Sequence, residues 1–537
     1  MKNIVVVGGG SAGWMTATTL LHQFPDKKIT LVESPNVPNI GVGESTVDGS
    51  QSGFSGIVDW LRLVEIEDND WMPHCDAIHK LSIGYKDWYR KDSGIFHFPF
   101  GPEYLQHNNY GFKLNDWHLK KIFYPETPLS DYAETFYPGM ALINQNKAIH
   151  YDPPFWKKAD IEVQQYSGWS YQFDATKFGF YLRDRYCKAR YAENFTHIQA
   201  EVLGIPQNDE GIKYLILDNG QKLEADLFVD CTGFKSLLLT KTFEVEFESV
   251  EDFIPNNYAW ATKIPYKDPE KQIVNYTMCS AIENGWIWEI PLWSRMGAGY
   301  VFSDKFVSTE HALCEFKAEL QKKGYEDAEE LDYHLIPMRC GIQKRLWVKN
   351  AVAIGLSAGF VEPLQSTGLQ TIYQFLFNLV RALSRGRIGE WDRREFNTKC
   401  HDHFYAFGGT VALLYSLSHR DDTEYWRDIQ TGLHYPENLF TEGHTPGFPR
   451  MFTRYYDERN KQLEFNLGSA VHALSAGMNW NPIYKLNPAL SGEDIEKTKE
   501  WVEIFIQQTD ERKRKWNDEI KEFPSPYQYS KDNIYNG

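Results

Sequence analysis

The chain has 537 residues and a formal net charge of −17, the reverse of the basic balance that compact nucleic-acid-binding proteins carry. We therefore expect no nucleic-acid partner. An ordinary apolar content, with 15% aromatic residues, indicates a globular protein long enough for two or three subdomains.

The sequence contains no signal for export or for a membrane span. The N-terminal run MKNIVVVGGG is too short for a signal peptide, and no stretch of about 20 uninterrupted apolar residues follows. The seven cysteines are scattered and include no C-x-x-C pair, which favours a reducing cytoplasm. The histidines show no H-E-x-x-H or related spacing, so we expect no metal site.

The first predicted unit is a strand, a glycine turn, a helix and a second strand, which together bind a dinucleotide. The strands are predicted at Ile4–Val7 and Ile29–Val32, with the helix at Ser11–Phe24 between them. The turn reads G-x-G-x-x-G, whose glycines permit a tight turn, a close approach to a pyrophosphate and close helix packing. The helix N-terminus would bind the phosphates, and the acid at the end of the second strand, Glu33, would bind the ribose. The predicted cofactor contacts in this unit are Gly8, Gly10, Ser11, Ala12, Gly13 and Glu33.

Later segments favour FAD over a nicotinamide cofactor. A glycine-rich loop (39–50) follows the second strand in place of another strand–helix unit. The segment LEADLFVDCTGF (223–234) predicts a strand over Asp226–Asp230 and a turn, and residues 350–383 predict a strand, a loop and a long helix. No second glycine fingerprint is present. The further predicted FAD contacts are Gly43, Glu44, Ser45, Val202, Asp230, Gly355, Gly368 and Leu369.

With these motifs in place, the chain resembles the flavin-dependent halogenases of the tryptophan-halogenase family. The matching motifs span most of the chain, and W-x-W-x-I-P together with PL-x-STG is the most specific combination. They read GGGSAGW at the start, GVGEST (41–46), DCTGF (230–234), WIWEIP (286–291), GFVEPLQSTGL (359–369) and SHRDDTEYWRDI (418–429). The resemblance implies an α/β fold: a GR2-type, hydroxylase-like Rossmann module for FAD, with an inserted mixed or antiparallel substrate sheet and a helical C-terminal subdomain.

The resemblance also implies a mechanism and its residues. In the family, reduced FAD, O2 and halide produce hypohalous acid, which passes through an internal tunnel to a lysine beside an aromatic substrate. By position that lysine is Lys80, the halide site is Thr367 with Gly368, and Trp286 with Trp288 form a barrier that keeps the substrate from the flavin. Reduced FAD would come from a separate flavin reductase, because no nicotinamide domain is visible.

The residues around Lys80 form an alternating pattern of their own. The segment CDAIHKLSIGYKDWYR (75–90) alternates, which places Lys80 on one face with Ile78, Ser82 and Gly84. Small neighbours leave room for a ligand beside the amine. Lys86 on the same face is the rival candidate, and a solvated strand lysine is the ordinary alternative.

One position departs from the family pattern. Where relatives have PLESTG, this chain has PLQSTG, so Gln365 stands where a glutamate is considered to hold the oxidant or take the arenium proton. Glutamine forms hydrogen bonds but is no base at neutral pH. We predict Gln365 and Ser366 as catalytic-site residues and an electron-rich indole or phenol as substrate. The family's set of residues that binds the amino-acid part of tryptophan has no recognisable counterpart here, because region 430–480 diverges from the family pattern. The sequence also leaves the halide preference open.

The remaining segments give the predicted organisation. The loop FHFPFGPEYLQHNNYGF (96–112) would supply Phe98 and Phe100 as substrate walls, with plain core packing as an equal alternative. The FAD module is predicted over 1–75, about 150–240 and about 340–385, the substrate face over about 76–150 and 243–335, and a mainly helical region over 386–537.

Two other functions remain open at this point. An FAD-dependent aromatic monooxygenase would share the fold, but its substrate must meet the activated flavin directly, so the tryptophan barrier and Lys80 would serve no purpose. The second open function is that of a non-catalytic protein with the FAD-binding fold, which binds a partner. The sequence leaves the oligomeric state, including a homodimer, undecided.

Overall fold

The computed structural model contains two large β-sheets and a set of helices that pack against them. It describes residues 1–37, 43–46, 56–104, 112, 114–149, 161–434, 452–457, 462–467, 469–481, 485–486, 488 and 490–536. Parts of the predicted glycine-rich loop (39–42 and 47–50), of the predicted substrate loop (105–111) and of the divergent region (435–451) lie outside these ranges.

The central sheet has six strands and places the dinucleotide-binding unit at its middle. Its strands are parallel except for the first, which is an antiparallel edge. Their order is Trp347–Val348, Ala351–Ala353, Leu227–Asp230, Asn3–Val7, Lys28–Glu33 and Phe195–Gln199. The inner strands read as β-branched and apolar runs because both faces of a parallel sheet are covered, whereas the edge strand Phe195–Gln199 is more polar and partly exposed. Their carboxyl ends meet at one edge, where such sheets bind ligands.

The second sheet has seven strands and carries the W-x-W segment near its centre. Its pairing is antiparallel except between Tyr276–Ile282 and Ser82–Lys86. The order is Tyr333–Pro337, Tyr258–Pro265, Arg295–Phe302, Gly285–Pro291, Tyr276–Ile282, Ser82–Lys86 and Ile95–Pro99.

Five smaller sheets complete the strands of the described residues. One of them joins Gly43–Ser45 and Ile78–Lys80 to opposite edges of Ser170–Asp174. The others are Phe247–Ser249 with Gly341–Gln343 and Gly359–Phe360, Val202–Gly204 with Leu215–Leu217 and Lys222–Leu223, Gln207–Asn208 with Gly211–Ile212, and Phe452–Asp457 with Gln462–Leu467.

The helices lie mainly in the first and last thirds of the chain. The α-helices are Ser11–Gln23, Ile57–Leu63, Asp68–Trp71, Leu114–Phe123, Asp131–Phe136, Gly139–Asn144, Glu162–Tyr166, Ala175–Tyr181, Lys188–Arg190, Pro269–Gln272, Thr309–Lys322, Thr367–Leu383, Glu390–Ser416, Glu424–Thr431, Ser469–Gly477, Gly492–Glu519 and Pro526–Ser530. Short turns of 3₁₀-helix include Gly233–Lys235 and Pro363–Gln365. Within the described ranges, no helix combines the length and apolar character that a membrane span requires.

The predicted fold class is confirmed, and two details differ from the sequence reading. The segment around Lys80 is two strands: Ile78–Lys80 pairs with Ser170–Asp174, whereas Ser82–Lys86 belongs to the seven-stranded sheet. Alternation alone does not reveal that the chain changes sheets at Leu81. The mainly helical C-terminal region also contains a hairpin, Phe452–Asp457 with Gln462–Leu467, which the sequence analysis did not predict.

Two histidines lie in the interior and contact each other. His118 and His472 are almost fully buried, and their Nε2 and Nδ1 atoms are 3.3 Å apart. Burial holds the pKa of His118 well below its ordinary range and lowers the pKa of His472 to about 3. Burial therefore favours the neutral form of both rings in the folded protein.

We expect the folded state to lose stability as the pH falls below about 6.5. The unfolded chain protonates both histidines there, while the folded chain keeps them neutral, so each removes about 1.4 kcal/mol per pH unit from the free energy of unfolding. Urea unfolding at pH 7 and pH 5 measures the effect, and His472→Gln should make the loss smaller. An equal loss in both proteins would contradict this assignment.

Candidate active site

The glycine turn brings the first helix and two strands of the central sheet into close contact. Gly8 has a φ of +117°, and a Cβ atom there would lie 2.2 Å from the carbonyl oxygen of Cys231. A Cβ atom on Gly13 would lie 1.9 Å from the carbonyl oxygen of Gly8. Gly10 differs, because a Cβ atom there would meet no atom within 4 Å. Gly8 and Gly13 are therefore needed for close backbone packing at the turn, whereas Gly10 faces open space.

A cavity of about 360 Å³ opens at this turn and extends along the carboxyl ends of the central strands. The three positions Gly8, Gly10 and Ser11 line it together with Glu33 and Val202. The carboxylate of Glu33 lies 2.9 Å from Nε2 of His197, which fixes its orientation. This cavity is called the glycine-turn cavity below.

A second cavity of about 320 Å³ continues from the first towards the seven-stranded sheet. Gly10, Ser11, Cys231 and Gly233 line both, so the two cavities adjoin, and together they are called the elongated space below. The second, called the deep cavity below, is also lined by Ala12, Thr277, Cys279, Trp288, Ser366, Gly368 and Leu369.

Two predicted contact residues support this space without lining it. Asp230 is buried, and its carboxylate accepts hydrogen bonds from the backbone N–H and the hydroxyl of Thr232 and from the N–H groups of Leu238 and Leu239. It thereby shapes the turn at Cys231–Gly233, which does line both cavities. Gly355 has a φ of +79°, and its Cα lies close to Ala12, since a Cβ atom would be 2.5 Å from the alanine methyl group.

The PLQSTG segment lies at the end of the deep cavity, where a long helix begins. The helix Thr367–Leu383 follows Ser366, whose φ of 55° is left-handed and uncommon for a residue other than glycine. The first N–H groups of a helix have no partner within it and carry a positive potential. The hydroxyl of Thr367 is buried without a hydrogen-bond partner among the described residues. The segment can therefore receive an anion.

Lys80 reaches the same segment from the opposite side. Its ammonium nitrogen is fully buried and donates hydrogen bonds to the carbonyl oxygen of Thr46, at 2.8 Å, and to Oγ of Ser366, at 3.1 Å. Burial lowers the pKa of Lys80 to about 7, and the neighbouring Cys279 acts in the opposite direction. The rival candidate Lys86 is exposed at the end of its strand.

The predicted substrate walls lie beside Lys80. Nζ of Lys80 is 5.3 Å from the centre of the Phe100 ring, and the rings of Phe98 and Phe100 are 6.2 Å apart, edge to face. Phe100 is 1% exposed and Phe98 5%, so each is packed like a core residue as well as close to the amine. The structure brings Phe100 to the site directly and places Phe98 behind it.

The two tryptophans of WIWEIP share a face of their strand but differ in position. Trp288 lines the deep cavity, and its indole lies flat across Gly299, where a Cβ atom would be 2.0 Å from the ring. Trp286 is fully buried behind it, with ring centres 6.1 Å apart, and packs against Trp88. Of the predicted barrier, only Trp288 faces the cavity.

The predicted contacts at Gly43, Glu44 and Ser45 form a short strand paired with Ser170–Asp174. Thr46 follows this strand and accepts the hydrogen bond from Lys80, which brings the GVGEST segment to the site. Gln365 is buried, and its Nε2 has no hydrogen-bond partner among the described residues.

Comparison with known proteins shows the family of this chain. The family model for tryptophan halogenase matches residues 3–445. The tryptophan 6-halogenase SttH of Streptomyces toxytricini is 32% identical over 445 residues, 80% of each chain, and its crystal structure superposes with a TM-score of 0.79 over 98% of this chain and 99% of that one, at 29% identity. The 7-chloro-L-tryptophan 6-halogenase KtzR of Kutzneria sp. (strain 744) is 33% identical over 445 residues, 80% of this chain and 82% of that one. The apo structure of VirX1 matches over the whole of both chains, with a TM-score of 0.81 and 30% identity.

The chain belongs to the tryptophan halogenase family.

The elongated space fits the flavin cofactor on which relatives in this family depend. Gly10 leaves room for a ligand at the glycine turn, Glu33 lies at one end, and the deep cavity at the other end is wide and largely apolar. A dinucleotide with a flat ring system matches this shape.

Two features of this tryptophan halogenase chain were missed by the sequence analysis. Thr277 and Cys279 line the deep cavity, and Glu362 lies buried immediately before Pro363. Glu362 was visible as the acid in the quoted GFVEPLQSTGL motif, but nothing in the sequence separates a buried carboxyl from an exposed one. Thr277 and Cys279 lie on one face of the strand Tyr276–Ile282, which the sequence analysis did not predict.

We expect Gly10→Ala and Gly13→Ala to separate cofactor binding from folding. The Gly10 variant should keep the melting temperature of the unliganded protein and lose FAD affinity, since only the cavity lies beyond its Cβ. The Gly13 variant should lower the free energy of unfolding by about 2–3 kcal/mol, because its Cβ meets backbone. Thermal unfolding and FAD fluorescence titration check both, and a Gly10 variant that binds FAD normally would contradict the assignment.

Proposed function

We propose that this protein is a flavin-dependent halogenase that uses reduced FAD, O2 and halide to make hypohalous acid and halogenates an electron-rich aromatic of the indole or phenol type. The observation that supports it best is the hydrogen bond between Lys80 and Ser366 at the end of the deep cavity. It joins the lysine to the segment that carries Thr367 and Gly368.

The cofactor would lie along the two cavities. Gly8, Gly10, Ser11 and Ala12 would bind the pyrophosphate at the helix N-terminus, and Glu33 would accept from the ribose hydroxyls. Val202, the strand Gly43–Ser45, Gly355 and Leu369 would border it, and Asp230 would hold the turn that supports it. When bound, reduced FAD supplies the reaction with O2 that turns halide into hypohalous acid.

Halide would bind at the start of the helix Thr367–Leu383. The first N–H groups of this helix, which include those of Thr367 and Gly368, have no partner within the helix, and the buried Thr367 hydroxyl adds a further hydrogen-bond donor. Ser366 would position the oxidant on its way to the lysine, because its hydroxyl contacts both the deep cavity and Lys80.

Lys80 would activate the oxidant towards the arene. In the ammonium form, Nζ donates a hydrogen bond to the oxygen of hypohalous acid and makes the halogen more electrophilic. With a pKa of about 7, the neutral amine is present as well, and it can exchange one N–H for N–halogen with release of water. Phe100 holds the ring of the substrate near the amine, with Phe98 behind it.

The ring proton would leave without a carboxylate at position 365. The oxygen of hypohalous acid departs with its own proton and takes the ring proton, which forms water and leaves the carbon–halogen bond. The buried amide of Gln365 can orient that oxygen by a hydrogen bond but cannot accept the proton. An electron-rich indole or phenol reacts under these conditions.

Trp288 would form the wall between the flavin space and the substrate, with Trp286 supporting it from behind. Two packed indoles are rigid and bulky, which such a wall needs. Reduced FAD would be delivered by a separate flavin reductase.

Lys80→Ala should abolish halogenation, and Lys86→Ala should leave it unchanged. Each protein is incubated with FAD, a flavin reductase, NADH, air and bromide, with pooled indoles, phenols and tryptophan as acceptors. Mass spectrometry detects the paired isotope signature of bromine. We expect a loss of about 100-fold or more for Lys80→Ala, because the oxidant is then neither held nor activated.

Three other results would change the proposal. Bromination that survives in Lys80→Ala would mean that free hypohalous acid reacts in solution. Hydroxylated product without bromine would identify an aromatic monooxygenase. Oxidation of reduced flavin with no product from any acceptor would favour a non-catalytic FAD-fold protein.

Trp288→Ala should lower the yield of halogenated product for each O2 consumed. Removal of the indole opens the deep cavity towards the substrate side, so oxygenated product or hydrogen peroxide should increase by about 10-fold. Trp293→Ala is the control, because that ring stacks on Tyr535 and does not line either cavity. Equal yields for both variants would remove the barrier role from Trp288.

A further inference from the structure

Glu362 is a buried carboxyl group that the chemistry described so far does not use. It is 0% exposed and directly precedes Pro363 at the start of the PLQSTG segment. The 3₁₀ turn Pro363–Gln365 leads from it to Ser366 and the helix Thr367–Leu383. A shift of Glu362 would therefore move Ser366, Thr367 and Gly368, which form the proposed halide site.

A directed chain of hydrogen bonds ends on this carboxylate. The Tyr415 hydroxyl donates to Oε1 at 2.7 Å, and Nδ2 of Asn256 donates to Oε2 at 2.9 Å and to the Tyr415 hydroxyl at 2.7 Å. The Tyr425 hydroxyl in turn donates to Oδ1 of Asn256 at 3.2 Å. Both carboxylate oxygens are occupied, which is an arrangement that holds the charged form in one orientation.

These partners come from separate parts of the fold. Asn256 lies just before the strand Tyr258–Pro265, Tyr415 is near the end of the helix Glu390–Ser416, and Tyr425 is in the helix Glu424–Thr431. One side chain thus ties the PLQSTG segment to the seven-stranded sheet and to two C-terminal helices.

The same network reaches the tryptophan wall. The ring of Tyr415 lies 5.5 Å from that of Trp88, edge to face, and Trp88 lies 6.3 Å from Trp286. Nε1 of Trp88 donates to the carbonyl oxygen of Cys279, at 3.0 Å, and Cys279 lines the deep cavity. Glu362 therefore contacts, through Tyr415 and Trp88, the residues behind the Trp286–Trp288 wall, and it also directly precedes the PLQSTG segment.

No cation compensates this carboxyl group among the residues that the structure describes. Burial raises the pKa of Glu362 to about 7, although the hydrogen bonds from Tyr415 and Asn256 lower it. The titratable groups that face it are Tyr415, Tyr425, Cys279 and Cys340, and their own pKa values are raised by burial, so they stay neutral. A carboxyl group buried among neutral groups opposes folding, and its presence beside an active site points to a role there.

The left-handed backbone of Ser366 shows why the segment needs an anchor. A serine with a φ of 55° is strained and persists only where the surroundings fix it. Its hydroxyl lies 3.1 Å from Nζ of Lys80, so a shift of about 1 Å would break that hydrogen bond.

We propose that Glu362 is a positioning residue of the halogenating site: it holds the segment with Ser366, Thr367 and Gly368 against the tryptophan wall so that the oxidant is delivered to Lys80 and not lost to solvent. This inference rests on the halogenase function proposed above.

The test compares Glu362→Gln with Glu289→Gln. Glu289 is a partly buried glutamate on the strand Gly285–Pro291, and its side chain points away from the tryptophan face and binds Lys323. We expect Glu362→Gln to lower halogenated product per reduced FAD consumed by about 10-fold, with a matching rise in hydrogen peroxide and free hypohalous acid. The KM for halide should rise and the KM for the aromatic substrate should stay the same, whereas Glu289→Gln should match the wild type.

A second measurement needs no turnover. Halide is titrated into the oxidised, FAD-loaded protein, and the absorbance of the flavin reports binding. Weaker halide binding in Glu362→Gln supports the inference even if the wild type makes no halogenated product, which would count against the proposed function alone. Unchanged coupling and halide affinity in Glu362→Gln, including the case where only its melting temperature falls, would overturn the inference.

Tyr415→Phe covers the case in which Glu362→Gln does not fold. It removes one donor to the carboxylate without a change in shape, and we expect a smaller loss of coupling and of halide affinity in the same direction. Wild-type values for both quantities in Tyr415→Phe would then overturn the proposal.

Discussion

The burial of Lys80 is the constraint on which the rest of the site depends. A lysine interior to a protein is costly unless its nitrogen is hydrogen-bonded, and here it donates to the carbonyl oxygen of Thr46 and to the hydroxyl of Ser366, which is 286 residues away in the chain. The amine therefore fixes the distance between the GVGEST and PLQSTG segments. The two large sheets border the place where these segments meet. The central sheet directs the carboxyl ends of its strands there, and the seven-stranded sheet supplies the wall with Thr277, Cys279 and Trp288.

Close backbone contacts make that meeting possible. Gly8 and Gly13 let the first helix and the strand Leu227–Asp230 approach within a distance that excludes any side chain, and Gly299 lets the Trp288 indole lie flat on the sheet. The carboxylates of Asp230 and Glu362 perform a related task inside the protein, because each holds one turn beside the cavity by accepting hydrogen bonds. Asp230 accepts from nearby backbone N–H groups, and Glu362 accepts from the distant side chains of Asn256 and Tyr415. The site is thus formed by short segments, and buried side chains outside the cavity hold these segments in position.

The sequence predicts the local elements well and the contacts between them less well. The βαβ unit and the helix after PLQSTG are found within about two residues of their predicted bounds, because apolar periodicity and glycine spacing are local signals. The change of sheet at Leu81 and the position of Trp286 behind Trp288 depend on residues far away in the chain, such as Ser170–Asp174 and Trp88. The network of Glu362 joins residues 256, 362, 415 and 425, and no spacing rule connects them.

The strand order of the central sheet has a consequence for how the chain is made. The strand Asn3–Val7 lies between Lys28–Glu33 and Leu227–Asp230, so one of its neighbours is synthesised more than 200 residues after it. At about 5–20 residues per second on the ribosome, that edge of the strand waits for roughly 10–45 s before its partner exists. During this time the first strand has one edge of unpaired backbone N–H and C=O groups next to its apolar side chains, and unpaired edges of this kind promote aggregation. The first strand therefore completes its pairing only after the middle of the chain has been synthesised.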